Sequence, residues 1–202
     1  GKDILGFPLT HPNNGWLNIN PASDRVGTDP APLVIPYSSV FDIRTGSVSI
    51  EFWMKSTETT TAMEIIEWQD LSPSAGMQFV ANPSGHANKI RFELWNGGAI
   101  TIDSTTSVND NEWHHIVGIR DVDIATGVMQ LWVDNVQENS DSPLNEDAST
   151  VIDIIHDVNI WVGGGNSPPG WEGSIDEIRW YNRALSTAEI TKNYNHGKSK
   201  HS

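Results

Sequence analysis

Apolar and polar residues alternate with a period of two through several stretches of this chain. In residues 49–55, Ile50, Phe52 and Met54 fall on one side, and Glu51, Trp53 and Lys55 on the other. Residues 89–95 repeat the arrangement, with Ile90, Phe92 and Leu94 set against Lys89, Arg91, Glu93 and Trp95. Residues 114–120, 128–134, 159–163 and 174–181 read likewise. Successive side chains of a strand point to opposite faces, so this period predicts half-buried antiparallel strands. Parallel strands, covered on both faces, read as unbroken apolar runs.

The segments between have turn chemistry. Asn96-Gly97-Gly98 predicts a tight hairpin into residues 99–103, Asp134-Asn135 reverses the chain, and Ala125-Thr126-Gly127 makes a third turn. One helix is signalled. Ser186-Thr187-Ala188-Glu189 has the spacing of a capping box, and Leu185, Ile190 and Tyr194 form an apolar stripe. The helix is expected over 185–194, ended by His196-Gly197, with 198–202 a frayed tail. The acidic stretch 137–150 reads as an exposed loop. No repeat or long linker interrupts the 202 residues. They read as a single all-β domain, a two-sheet antiparallel jelly-roll sandwich with one short C-terminal helix.

Charge and composition narrow the partners. Twelve Lys and Arg against 26 Asp and Glu give a net charge of −14. A field of that sign repels phosphate backbones and anionic lipid, which argues against nucleic acid and membrane surfaces and favours cations and neutral ligands. No apolar run approaches the ~20 residues of a membrane span, so no membrane insertion is expected. With no cysteine, disulfides, thiolate metal sites and a cysteine nucleophile are excluded. The opening Gly1-Lys2 reads as a piece of a longer or processed chain.

Three stretches together resemble one family. Ser47-Val48-Ser49-Ile50-Glu51-Phe52-Trp53-Met54-Lys55 resembles its early strand. Asn111-Glu112-Trp113-His114-His115-Ile116-Val117-Gly118-Ile119, with Leu131-Trp132-Val133-Asp134-Asn135, resembles its Trp-His-His strand and the following hairpin. Gly173-Ser174-Ile175-Asp176-Glu177-Ile178-Arg179-Trp180-Tyr181-Asn182-Arg183-Ala184-Leu185-Ser186 resembles its C-terminal strand and capped helix. This is the pattern of laminin-G-like, concanavalin A-like jelly-roll domains, the group related to pentraxins. The resemblance implies two curved sheets, glycan or protein binding, frequent calcium, and an extracellular or cell-surface setting beside other domains of a longer protein. The superfold also hosts glycan-cleaving enzymes. The hairpin carries Asp134-Asn135 where the family usually has Asp-Gly, which Asn tolerates because it reaches positive φ.

Glycan cleavage needs paired carboxylates roughly 5–10 Å apart. Glu64-Ile65-Ile66-Glu67 places its two acids on opposite faces of an ideal strand, and so does Asp176-Glu177; Asp121-Val122-Asp123 lacks a terminal Glu. No catalytic residues are therefore assigned. His114 and His115 face opposite ways and cannot share one metal. Trp113 and Trp180, with Trp132 or Trp161, read as core. Calcium, which takes six to eight oxygens, has candidate ligands in Asp24 and in Asp176, the acid of the family's Ile-Asp-Glu position. Trp95 lies on the polar face of its strand with Arg91 and Glu93, beside Asn96. Trp68 sits among polar residues, and Trp171 follows the rigid Ser167-Pro168-Pro169-Gly170. An indole face stacks on the apolar face of a sugar while charged and amide groups bond its hydroxyls. Trp68, Arg91, Glu93, Trp95, Asn96 and Trp171 are thus the candidate glycan site, and the expected function is a non-catalytic carbohydrate-binding module. The alternatives are a calcium-dependent adhesion or protein-interaction domain and, third, a glycan-cleaving hydrolase or lyase. Far-UV circular dichroism should show less than about a fifth helix, well under the ~30–35% of an average globular protein; a larger share would contradict the all-β reading.

Overall fold

The computed structural model describes residues 17–19, 33–38, 41, 46–70, 75–96, 99–123, 127–141, 159–164 and 171–201. Among them, in chain order, are β1 (Leu17–Ile19), β2 (Leu33–Ile35), β3 (Val48–Lys55), β4 (Met63–Asp70), β5 (Ala75–Ala81) and β6 (Ile90–Asn96). These are followed by β7 (Ala99–Asp103), β8 (His114–Asp121), β9 (Val128–Val133), β10 (Val136–Asp141), β11 (Ile160–Val162), β12 (Gly173–Tyr181) and α1 (Thr187–Lys198). One sheet has the order β1-β12-β3-β8-β9-β10 and the other β2-β11-β4-β5-β6-β7. All recorded pairings are antiparallel. The architecture is the expected two-sheet jelly-roll sandwich.

The sheets meet through aromatic residues. Phe79 stacks on Phe92 at 4.8 Å and takes Phe52 of the opposite sheet edge-on at 5.0 Å. Gly118 on β8 makes room for this trio, because a Cβ there would lie 2.5 Å from the Phe79 ring. Interiors packed at crystal density leave no slack for that methyl.

The outer face of the first sheet is covered by α1. Val117, Ile119, Trp132, Tyr181, Leu185 and Ile190 form a second apolar cluster beneath the helix. Inside this layer lies Glu51, its side chain at 0% exposure. Its carboxylate accepts hydrogen bonds from Arg179 Nη1 at 2.7 Å, Tyr181 Oη at 2.9 Å and Asn193 Nδ2 at 2.9 Å, and His115 Nε2 lies 3.4 Å away. Burial alone would push this carboxyl up. The His115 imidazole and Arg179 guanidinium more than offset that and bring it down to about 2. His114 faces the other way, with Nδ1 2.7 Å from Asp134 and Nε2 3.0 Å from Asp110. Burial lowers its pKa, but the two carboxylates outweigh burial and hold it above the usual histidine range.

Several expectations change. The helix runs on to Lys198 because Gly197 does not stop it. A Cβ at Gly197 would overlap the Trp53 indole, so glycine is what lets the helix lie this close to that ring. The capping box is present as expected, with Ser186 and Glu189 bonded reciprocally. Residues 198–201 are not a loose tail: the His201 ring packs 4.6 Å from Trp53 and 4.5 Å from Trp113, which is half-buried and outside the core. Residues 137–141 form strand β10 and not a loop, because Asp134 and Asn135, at φ 50° and 67°, make the tight turn that lays the polar segment against β9.

Glu51→Gln should cost about 3 kcal/mol, since it removes the buried charge that Arg179, Tyr181 and Asn193 bond and that His115 faces, while Arg179 keeps Glu177. For a chain of this size that lowers Tm by roughly 10 °C. The folded-state pKa of about 2 lies below the ordinary 4.5. Its stabilisation is therefore present above pH 4.5 and lost as pH falls toward 2. The variant should show a flatter acid limb in melting temperature against pH.

Candidate functional site

The face of the second sheet turned away from the core carries one aligned row across all six strands. Val34, Trp161, Glu67, Gln78, Glu93 and Thr101 are successive register partners from β2 to β7. The row on one side holds Glu64, Val80, Arg91 and Asp103; on the other, Trp95 lies opposite Gly76 and Ala99. Ile90, Phe92 and Leu94 are buried in the core, so Arg91, Glu93 and Trp95 point outward, as the alternation requires. Trp95 and Trp161 are both half-buried. Gly76 has no side chain to raise the floor beside Trp95, and glycine within a strand is common where a ligand or another chain comes close.

A β-bulge between Glu64 and Ile66 sets the rest of the face. One extra residue reverses the phase of a strand. Met63, Ile65, Ile66 and Trp68 all enter the core, while Glu64 pairs with Val80 and Glu67 with Gln78 on the same outward face. Trp68 is therefore not a sugar platform: it is 1% exposed and packs edge-on against Trp180 at 5.3 Å. Trp171 is likewise a core residue, at 0% exposure, with its backbone N–H donating to Gly163 O at 3.1 Å. A Cβ at Gly173 would run into the Trp171 ring, which shows how closely that indole is sealed in. Trp161, expected as a core alternative, instead flanks Glu67 on the outer face. Trp161, Glu67 and Gln78 are the members of this face that sequence reasoning missed. Alternation within Ile160–Val162 pointed to Trp161 and alternation about Met77 and Phe79 to Gln78; Glu67 depended on the bulge. The side chain of Asn96 lies outside the described residues, and its backbone pairs with Ala75.

Hydrogen bonds fix the polar floor. Gln78 Nε2 donates to Glu93 Oε2 at 2.5 Å, and Arg91 Nη1 reaches Glu93 Oε1 at 3.4 Å. Arg91 is gripped in a fork by Asp103, through Nε to Oδ1 at 2.5 Å and Nη2 to Oδ2 at 2.9 Å, and His86 pairs with the same carboxylate. Burial pushes Asp103 up, but Arg91 and His86 outweigh burial and hold it below the usual carboxylate range. Arg91 is thus neutralised locally and is not a loose cation. The face as a whole is acidic and rigid.

The metal candidates separate. Asp24 lies outside the described residues. Asp176 lies on the outer side of the first sheet, near Glu177 and His201, with one ligand atom of each within 4.8 Å of the others. Burial raises the Asp176 pKa and lowers that of His201. Calcium takes hard oxygen ligands, six to eight of them. Two carboxylates and an imidazole nitrogen, with Arg179 and Lys200 already on Glu177, do not fit that ion.

With fold and face in view, comparison with known proteins places the chain. Residues 31–191 match the laminin G family model of the concanavalin A-like lectin/glucanases superfamily, and the chain belongs to that superfamily. No curated protein sequence matches it significantly. Among solved structures, it resembles domain 4 of AbnA, a GH43 extracellular arabinanase from Geobacillus stearothermophilus, in complex with arabinotriose. The TM-score is 0.57 at 17% identity, over 74% of this chain and 66% of that one. It also resembles the binding domain of Paraclostridial Mosquitocidal Protein 1, with a TM-score of 0.65 at 15% identity over 90% of this chain and 42% of that one. A third is the botulinum neurotoxin serotype G binding domain, with a TM-score of 0.53 at 16% identity over 83% and 39%. The chain thus spans under half the length of the two toxin domains. At these identities the likeness shows the shared fold. No helix among the described residues is long and apolar enough to cross a membrane.

Because Trp68 fills the core, Trp68→Ala should cost ~3–5 kcal/mol of folding stability, as large core truncations do. Chemical denaturation measures this, and a loss under ~1 kcal/mol would contradict the inward placement.

Proposed function

We propose that the outer face of the second sheet binds a neutral glycan, and that the chain is a non-catalytic carbohydrate-binding module of a secreted, multidomain protein. The observation that carries this reading is the pair of outward tryptophans, Trp161 and Trp95, set across a floor of hydrogen-bonding groups formed by Glu67, Gln78 and Glu93. Outward indoles on a face not covered by the helix mark a contact surface. Their half-buried rings offer stacking area for the apolar face of a sugar, and the locked carboxylates between them keep the face negative. Among the described residues of the face, Glu64, Glu67 and Glu93 outnumber the cation Arg91, which Asp103 already neutralises. Sulfated and uronic polymers would be repelled. Complexation of one structural neighbour with arabinotriose is consistent with glycan binding on this architecture.

An enzymatic reading is weaker on this geometry. Glu67 and Glu93 stand two strands apart, roughly 9–10 Å between backbones by strand spacing, which is near the separation inverting hydrolases use. Yet Glu67 is 2% exposed, and Glu93 is held by Gln78 and Arg91, so neither is free to approach a glycosidic oxygen.

Affinity electrophoresis against neutral polysaccharides (arabinan, xylan, β-glucan) with a uronic polymer as control tests the proposal. At least one neutral polymer should retard the protein, and Trp95→Ala should weaken that binding by ~1–3 kcal/mol, about 5- to 150-fold. Its melting temperature should change little. Loss of stability with unchanged retardation, or release of reducing sugar by the wild type, would overturn it.

A further inference from the structure

On the opposite sheet, and independent of the glycan face, we propose that Asp176, Glu177 and His201 form a site for a borderline divalent transition ion such as zinc, which clasps the C-terminal segment onto β12. Neighbours in a regular strand point apart. Here β12 carries a bulge between Asp176 and Arg179, and Glu177 sits at φ 51°. That turn of the backbone brings both carboxylates to the same side. His201 closes the site from the chain's end, with one ligand atom of each residue within 4.8 Å of the others.

The imidazole itself points to a ligand. The His201 side chain is 3% exposed, held between the rings of Trp53 and Trp113. Its Nε2 is buried and makes no hydrogen bond; the nearest acid, Asp176 Oδ2, is 3.5 Å away. A buried polar atom without a partner is costly, and native structures rarely keep one without a reason. An ion between Nε2 and Asp176 Oδ2 would satisfy both atoms at about 2.0–2.2 Å each. The mixed nitrogen and oxygen set selects zinc-like ions over calcium or magnesium, which take oxygen alone.

The charges agree with this. Glu177 already draws two cations, Arg179 Nη2 to Oε2 at 2.9 Å and Lys200 Nζ to Oε1. Lys200 is half exposed and can swing into solvent, which frees Oε1, while Arg179 keeps Oε2 and orients the carboxylate. Three protein ligands leave one position of a tetrahedral ion for water. The site then ties residue 201 to β12 beside Trp53, against which Gly197 of α1 also packs.

Isothermal titration of the chelator-treated protein with zinc chloride alone, at neutral pH, tests this. The expected result is one strong site per chain, with a melting temperature that rises on adding zinc and returns on adding EDTA, since an ion bound only by the folded state stabilises it. His201→Gln and Asp176→Asn should each weaken zinc binding about tenfold or more, because even outer-shell partners of a metal site are worth 10–100-fold. His114→Gln, at the other histidine flanked by two acids, should leave the titration unchanged, and calcium chloride should give no comparable heat. Zinc binding equal in wild type and His201→Gln, no stoichiometric zinc site, or a calcium response in place of a zinc response would each overturn the proposal. Melting of the zinc-free variants separates a lost ligand from a damaged fold, and Asp176→Asn reads the same site without touching the histidine that packs between the tryptophans.

Discussion

One buried carboxylate organises half of this molecule. Glu51 lies in the middle of β3, beneath the helix, and is bonded by groups from β12 and α1 while His115 of β8 stands beside it. A carboxylate out of water survives only when its lone pairs are satisfied and its charge is balanced. Glu51 therefore fixes three chain segments at once. Moving α1 would strand Asn193, and shifting β12 by one residue would turn Arg179 and Tyr181 to the wrong face. Trp53, two residues along the same strand, adds a steric condition, because the helix can approach only where Gly197 lacks a side chain. Charge and shape together close one face of the sandwich.

Closing that face leaves the other as the proposed recognition face. The outer side of the second sheet has no helix over it among the described residues, and its inner side is filled by Phe79, Phe92, Trp68 and Trp171. Nothing it displays outward is needed for the core. Gln78 and Glu93 hold each other in the floor beside Glu67, while Trp95 and Trp161 stand at its margins. A rigid floor between two indoles loses little conformational entropy when a ligand settles on it, which is how preorganised sites gain affinity. The stabilising chemistry and the proposed recognition face lie on opposite sides of the sandwich.

Much of this was legible in the chain. The period of two around Phe52 and Phe92 gave strands with the correct inward residues, Ser186 and Glu189 marked the helix start, and Trp95 with Arg91 and Glu93 did turn outward. What was hidden follows from two bulges. The extra residue near Ile65 reverses the phase of β4, sending Trp68 inward and bringing Glu64 and Glu67 to one face. The bulge after Asp176 likewise unites two acids that alternation drives apart. Alternation reports the side of a residue only while the ladder is regular. Gly197 misled for a different reason: it resembled a helix terminus, yet its role is close approach to Trp53. Trp171 follows a Pro-Pro-Gly sequence that reads as suited to display, and only long-range packing shows that its ring completes the core.

The central claim is that recognition belongs to the outer face of the second sheet. Hydrogen–deuterium exchange with and without a retarding neutral polysaccharide addresses it directly, because it locates protection without altering any residue. The account predicts slowed exchange in β4, β5, β6 and β11, with α1, β3 and β12 unchanged. Protection concentrated on α1 and β12, while β5 and β6 exchange as in the free protein, would contradict it.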